Sequence, residues 1–443
     1  MILKVKKYTF LKSGILIILY TCLAESLLSQ PTPAPKQNGH TLIKNATAHL
    51  GNGFIIENSV IAFENGKITL IGDARVVRLD MSIYNRIIDG TGKHVYPGFI
   101  ATNSTLGLIE IGAVRASNDQ SETGSLNPNV RSIIAYNTDS KIIPTVRSNG
   151  VLMAQITPKG GTISGSSSVV QLDAWNWEDA IVKEDDGIHI NWPSMYSTSG
   201  WWAEPGEIKK EDSYAAKKEE IIKFFKEAQA YCNLSFHLEK NLRFESMRGV
   251  FNGTKNIYIH ANYVKELADI VYFKRDFEFS KLTIVGGYDS WMLAEMLKEN
   301  NVSVMLKRLH ELPERSEEDT DLPFKIPYLL YKAGVLFCLQ NSGDMEQMHT
   351  RNLPFLAGTA SAYGVPKEDA LMLITLNAAK ILGIDKQCGS LELGKEATLF
   401  ISSGDALDML TNNVEHAFIQ GREIDLNNHQ KDLYEKYKKK YAE

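Results

Sequence analysis

Between Thr41 and Gly98 apolar and polar positions alternate in short runs, TLIKNATAHLG, NSVIAFENGKITLIGD and YNRIIDGTGKHVYPG, with Asn65-Gly66 dividing the second run. Period two is the pattern of a strand with one buried face, and Asn-Gly between such runs marks a tight hairpin. A second strand-rich piece, GSLELGKEATLFISS followed by VEHAFIQGREI, lies near the C-terminus. Between the two pieces, from about residue 99 to 383, the pattern changes. Short apolar runs (GVLMAQIT, NIYIHA, KLTIVGG, NVSVMLK, GVLFCLQN) are separated or followed by segments of helical period, among them SYAAKKEEIIKFFKEAQAYC, SWMLAEMLKEN and KEDALMLITLNAAKIL. Strands of this kind alternating with amphipathic helices predict parallel pairing, an α/β class and a closed (β/α)8 TIM-type barrel. In such barrels the chemistry sits at the C-terminal ends of the strands, so the residues just after each run carry the candidates.

Composition adds bounds rather than detail. With 443 residues, 44% of them hydrophobic and 23% charged, the chain can fill one large domain and a smaller one. The N-terminus reads as a secretory signal over residues 1–29: a basic stretch ending at Lys12, the apolar run GILIILYTCLA, then small residues around Ser29. A Pro-rich flexible leader, residues 30–40, follows it. The predicted location is therefore periplasmic or secreted, with no stable membrane span after cleavage. Cys22 is poorly placed for lipidation. Four lysines and one glutamate leave with the signal, which moves the net charge from −5 to −8 and argues against a nucleic-acid partner. The three cysteines that remain, Cys232, Cys338 and Cys388, are widely spaced and imply neither a disulfide framework nor a metal cluster.

Two stretches suggest a ligand at the barrel mouth. PKGGTISGSSSVVQ places Gly160, Gly161, Gly165 and Ser166–Ser168 after a strand, where free N–H groups and hydroxyls could cradle a carboxylate or other anion. Trp175, Trp177, Trp192, Trp201 and Trp202 crowd five of the six tryptophans into 28 positions, as an aromatic-walled lid or a local hydrophobic plug would. The basic run HQKDLYEKYKKKYAE predicts a solvated helix within residues 425–443.

The segments KNATAHLGNG, NGKITLIGD, DGTGKHVYPGFI and ITLNAAKILGIDKQCGSLELGKEATLFI resemble the amidohydrolase superfamily, in particular its imidazolonepropionase-like members, over residues 41–424. The resemblance implies a metal-dependent hydrolase barrel over residues 99–383, with a composite β-sandwich made of residues 41–98 and 384–424. In that family imidazoles and carboxylates at several strand ends hold one or two divalent ions such as zinc, which lower the pKa of a bound water to about 7 and polarise the scissile carbonyl. The resemblance puts the first-strand ligands at Asn103 and Thr105, the sixth-strand histidine at Gly286 or Gly287, and the last-strand aspartate at Asn341 or Ser342. His260 alone keeps a ligand type at its expected place. No lysine is placed by the sequence as a bridging ligand.

The sequence therefore predicts a metal-deficient site and no cofactor, and it supports two functions. One is hydrolysis of a non-peptide C–N bond, in an amide or cyclic amide, by a reorganised site using His260 and Asp344, with Asn103, Thr105, Gly161, Ser166, Trp175 and Trp177 around the substrate. The other is a non-catalytic barrel that binds a small molecule or pairs with an active relative; a homo-oligomer is compatible with either.

Overall fold

The computed structural model describes residues 32–442 apart from 202, 203 and 344, so the signal-like segment and Asp344 lie outside the described residues. In chain order the strands are β1 (Thr41–His49), β2 (Ile55–Glu64), β3 (Lys67–Asp73), β4 (Arg86–Asp89), β5 (His94–Pro97), β6 (Phe99–Ser104), β7 (Val151–Ile156), β8 (Ile163–Gln171) and β9 (Ile181–Asn191). They continue as β10 (Tyr196–Trp201), β11 (Glu204–Lys210), β12 (Asn256–Ala261), β13 (Thr283–Gly286), β14 (Ser303–Leu306), β15 (Phe337–Leu339), β16 (Leu399–Ser402), β17 (Val414–Ile419) and β18 (Arg422–Glu423). Residues 34–443 form one compact unit.

Strands from the two ends of the chain hydrogen-bond into one sheet, in the order β18-β17-β16-β5-β1-β2-β3, with β4 branching from β1. Asn65-Gly66 makes the β2–β3 hairpin, and both residues have positive φ. Alternation along β1 sends Ile43 to one apolar cluster with Phe63 and Phe418, and Leu42 to another with Val60 and Ala62. Both faces of the sheet are thereby covered. The sheet is tied to the barrel through Asp173, which accepts from Arg147 at 2.6 Å and from Arg422 at 2.9 Å.

The second eight-stranded sheet runs β15-β14-β13-β12-β9-β8-β7-β6, and a parallel bridge between Thr102 and Gln340 closes it into a barrel. Seven of its strands are mutually parallel. The exception is β8, which pairs antiparallel with both β7 and β9. Only residues 157–162 join β7 to β8, too short a link for a crossover helix, so the chain turns back at once through Gly160 and Gly161, both at positive φ. The Gly/Ser run read as a mouth loop is thus mostly a barrel strand.

Period two decides what the barrel holds. Ile100, Met153, Tyr258, Met305 and Cys338 form an apolar plug with Ala378, Ile381 and Leu382 of the helix Leu376–Leu382. Two residues further along the same strands stand Thr102, Gln155, His260, Lys307 and Gln340. A polar layer therefore lies directly above an apolar one, toward the strand C-termini. No helix among the described residues is long and apolar enough to cross a membrane.

Candidate active site

Asn103 is the hub of the polar layer. It lies one residue before the end of β6 with φ 53°, a conformation that asparagine tolerates better than most residues. Its N–H donates to Gln155 Oε1 at 3.0 Å and its Nδ2 donates to Gln340 Oε1 at 2.8 Å. Gln340 is oriented in turn by its own donation to the Met305 carbonyl. Asn103 Oδ1 is left to accept from Lys159 Nζ at 2.8 Å. Lys159 lies in the short β7–β8 link and is half-buried; Ser342 Oγ stands 3.5 Å from its ammonium. Burial pulls its pKa down to about 8, against the opposing effect of the Glu346 carboxylate.

Glu346 is buried and accepts four hydrogen bonds, from Ser104 Oγ and Thr105 Oγ1 at 2.6 Å each, from Thr105 N at 2.7 Å and from Thr350 Oγ1 at 2.9 Å. Thr105 is therefore committed to a protein carboxylate.

On the other side of the layer four side chains form a line. Asp186, fully buried, accepts from Tyr258 Oη at 2.6 Å, from Gln155 Nε2 at 3.0 Å and from Ser167 Oγ at 2.7 Å. Burial raises its pKa, and these donors oppose the rise. Ser167 Oγ lies 2.9 Å from His189 Nε2, and His189 Nδ1 lies 3.0 Å from His260 Nε2. With Asp186 ionised, the one hydroxyl proton of Ser167 points to it, so His189 Nε2–H donates to Ser167 and His260 Nε2–H donates to His189 Nδ1. Each ring is thereby fixed as one neutral tautomer. His260 Nδ1 is left with its lone pair and makes no hydrogen bond to the described residues. Burial holds both imidazoles well below their ordinary pKa; His260 adds to the effect on His189, and the Lys159 charge adds to it on both.

This arrangement does not fit a catalytic metal. Asn103 Oδ1 accepts from an ammonium, Thr105 donates to Glu346, and the two imidazoles spend facing nitrogens on each other. At the sixth strand Gly286 has φ 102°, a conformation that strains any residue bearing a Cβ, and a Cβ there would come to 3.0 Å from the Ala261 carbonyl. Among the described residues no group of three or more His, Cys, Asp or Glu side chains could hold an ion.

The structure brings together Asn103, His260 and the neighbourhood of Thr105, and it disperses other expectations. Ser166 lies in β8 with its N–H donating to the Val130 carbonyl at 2.7 Å, so it offers no free amide, and Gly161 is exposed in the turn. Because β8 runs away from the mouth, Trp175 and Trp177 fall at the opposite end of the barrel, and neither can serve as a lid. Trp175 is exposed there and Trp177 packs against the barrel core. Trp192 is buried, donating to Tyr214 Oη at 3.1 Å. Trp202 and Asp344 lie outside the described residues.

Sequence reasoning missed Lys159, Asp186 and Glu346, and it placed His189 in a loop or helix, whereas His189 lies in β9. The alternation of DGIHIN, with Gly187, His189 and Asn191 on one face, was the available signal for His189.

Comparison with known proteins agrees with this architecture. The amidohydrolase family model matches residues 330–424. A crystal structure of an amidohydrolase from Thermotoga maritima MSB8 superposes with a TM-score of 0.74 at 26% identity, covering 87% of this chain and 99% of that one. The chain is thus similar to amidohydrolases in its C-terminal sequence and in its fold. Another similar fold is a Xaa-Pro dipeptidase solved with methionine in its active site, with TM-score 0.51, 14% identity, and coverage of 87% of this chain and 100% of that one. No curated protein gives a significant match to this chain.

Proposed function

We propose that this protein is an exported hydrolase of a non-peptide C–N bond, in an amide or cyclic amide, that works without a metal and uses His260 as its general base. The observation that carries the reading is the line Asp186–Ser167–His189–His260, which ends in an unprotonated Nδ1 at the barrel mouth. A neutral imidazole held in one tautomer by a chain anchored on a buried carboxylate is equipped to take a proton from water as that water adds to a carbonyl. The similarity to amidohydrolases supports hydrolysis as the reaction class, and the N-terminal pattern supports export.

A second reading, binding without turnover, is favoured by one feature. Asn103 is committed to Gln155, Gln340 and Lys159, and Thr105 to Glu346, as in a mouth whose polar groups serve its own structure. Incubating the full-length mature protein, after dialysis against a chelator, with a panel of N-acyl amino acids and cyclic imides separates the two. Release of amine or ring-opened product by the wild-type protein is the expected result. Saturable binding of a panel member with no product would establish the second reading.

A further inference from the structure

We propose that Lys159 is itself a catalytic residue: its ammonium stands in the place of the metal and holds the oxyanion that forms when water adds to the scissile carbonyl. The inference rests on the hydrolase reading above, and it adds the electrophilic half of the reaction.

Three observations place the ammonium there. Its two hydrogen-bond partners, Asn103 Oδ1 at 2.8 Å and Ser342 Oγ at 3.5 Å, come from the first and last barrel strands. They stand at positions where the family resemblance puts metal ligands. Asn103 can present only its oxygen to the lysine, because Nδ2 is bound by Gln340 and the backbone N–H by Gln155. The side chain that should have coordinated a cation still faces one. Finally, Lys159 reaches this spot because the β7–β8 connection turns back after six residues on the mouth side of the barrel. A regular crossover helix would have carried it away.

The ammonium has three N–H donors, and the described residues use two. Beside Ser342, the Asn341 Nδ2 is buried with no hydrogen-bond partner among the described residues, a second donor at the same strand end. Glu346 supplies a counter-charge that favours the protonated form of Lys159. The Lys159 charge also helps to hold His260 and His189 neutral.

The step balances without a further reagent. One water O–H proton passes to His260 Nδ1 as the water oxygen bonds to the carbonyl carbon, and the C=O π pair moves onto oxygen. The resulting O⁻ accepts a hydrogen bond from Lys159 Nζ. Collapse of the tetrahedral species re-forms the C=O bond, breaks the C–N bond and returns the proton from His260 to the leaving nitrogen.

Methylphosphonate, a small tetrahedral oxyanion, tests this on the intact protein by calorimetry. Wild-type protein should bind it, and Lys159→Met should weaken the binding at least ~10-fold, since the fixed charge is the main donor. A measurement that needs no variant accompanies it: after ¹³C reductive methylation of the wild-type protein, the Lys159 resonance should shift as the probe is titrated in. Equal affinity in Lys159→Met, an unmoved Lys159 resonance at saturation, or no binding by wild type at roughly 50 mM probe, a concentration at which even a millimolar site would fill, would each overturn the proposal. Lys159-dependent binding in a protein that turns over no amide would remove the hydrolase reading and leave the oxyanion site standing.

Discussion

Replacing Glu346 by leucine is expected to lower the unfolding free energy by about 3–5 kcal/mol, the usual scale for removing one partner of a buried charged network. The carboxylate accepts from four donors on three residues besides itself, and these lie at the junction of the first barrel strand and the segment after the last one. Leucine offers none of them an acceptor, and the buried Thr105 N–H cannot reach solvent instead. Lys159 loses its counter-charge at the same time. Glu346→Gln keeps the shape and one acceptor oxygen, so it should cost roughly half as much. Urea denaturation monitored by circular dichroism measures both. A leucine variant within about 1 kcal/mol of wild type would mean that the four bonds contribute little beyond ordinary surface polarity.

His260→Gln should lower kcat by about 10²–10⁴-fold while leaving KM within a few-fold, the signature of a lost general base. Glutamine can still donate to His189 Nδ1, so the line of hydrogen bonds keeps its end partner and the loss reports the base alone. The pH dependence supplies the sign. Burial and the Lys159 charge hold His260 well below the ordinary 6.5, so its neutral, proton-accepting form persists as the pH falls through 6.5. On the acid side wild-type kcat/KM should consequently stay flat across that value and decline only in more acid solution, while on the alkaline side it should fall as Lys159 loses its proton around its pKa of about 8. Protonation of Asp186 would weaken the line from its other end, because Ser167 would then receive a proton instead of giving one. A rate that has already halved by 6.5 as the pH is lowered would place the essential base elsewhere.

The legible part of the protein was the part written in periodicity. Alternating runs announced the sheet from both ends of the chain, and apolar runs between helical segments announced the barrel. What periodicity could not carry was direction. The antiparallel β8 follows from a six-residue link, and that reversal put Trp175 and Trp177 at the far end of the barrel and turned Ser166 into a strand residue. The same reversal delivered Lys159 to the mouth.

The site was half legible for a related reason. Asn103, Thr105 and His260 could be found because the family resemblance fixes their positions along the chain. Their partners are set by the closure of the barrel: Asn103 meets Gln340 across 237 positions, and Ser104 meets Glu346 across 242. Nothing in EQMHT marks Glu346 as a buried acceptor before the last strand is docked beside the first. His189 was closer to hand, one residue in an alternating strand that pairs directly with Tyr258.

The central claim is that a hydrogen-bonded network with its own ammonium stands where the amidohydrolases it resembles would hold a metal. Elemental analysis of the mature protein, purified without chelators and followed by thermal melts with and without chelator, tests it most directly. The account predicts well under one equivalent of zinc, iron or manganese and an unchanged melting temperature, because no metal-binding energy is coupled to folding. A stoichiometric transition metal, together with a melting temperature that chelator lowers, would contradict it.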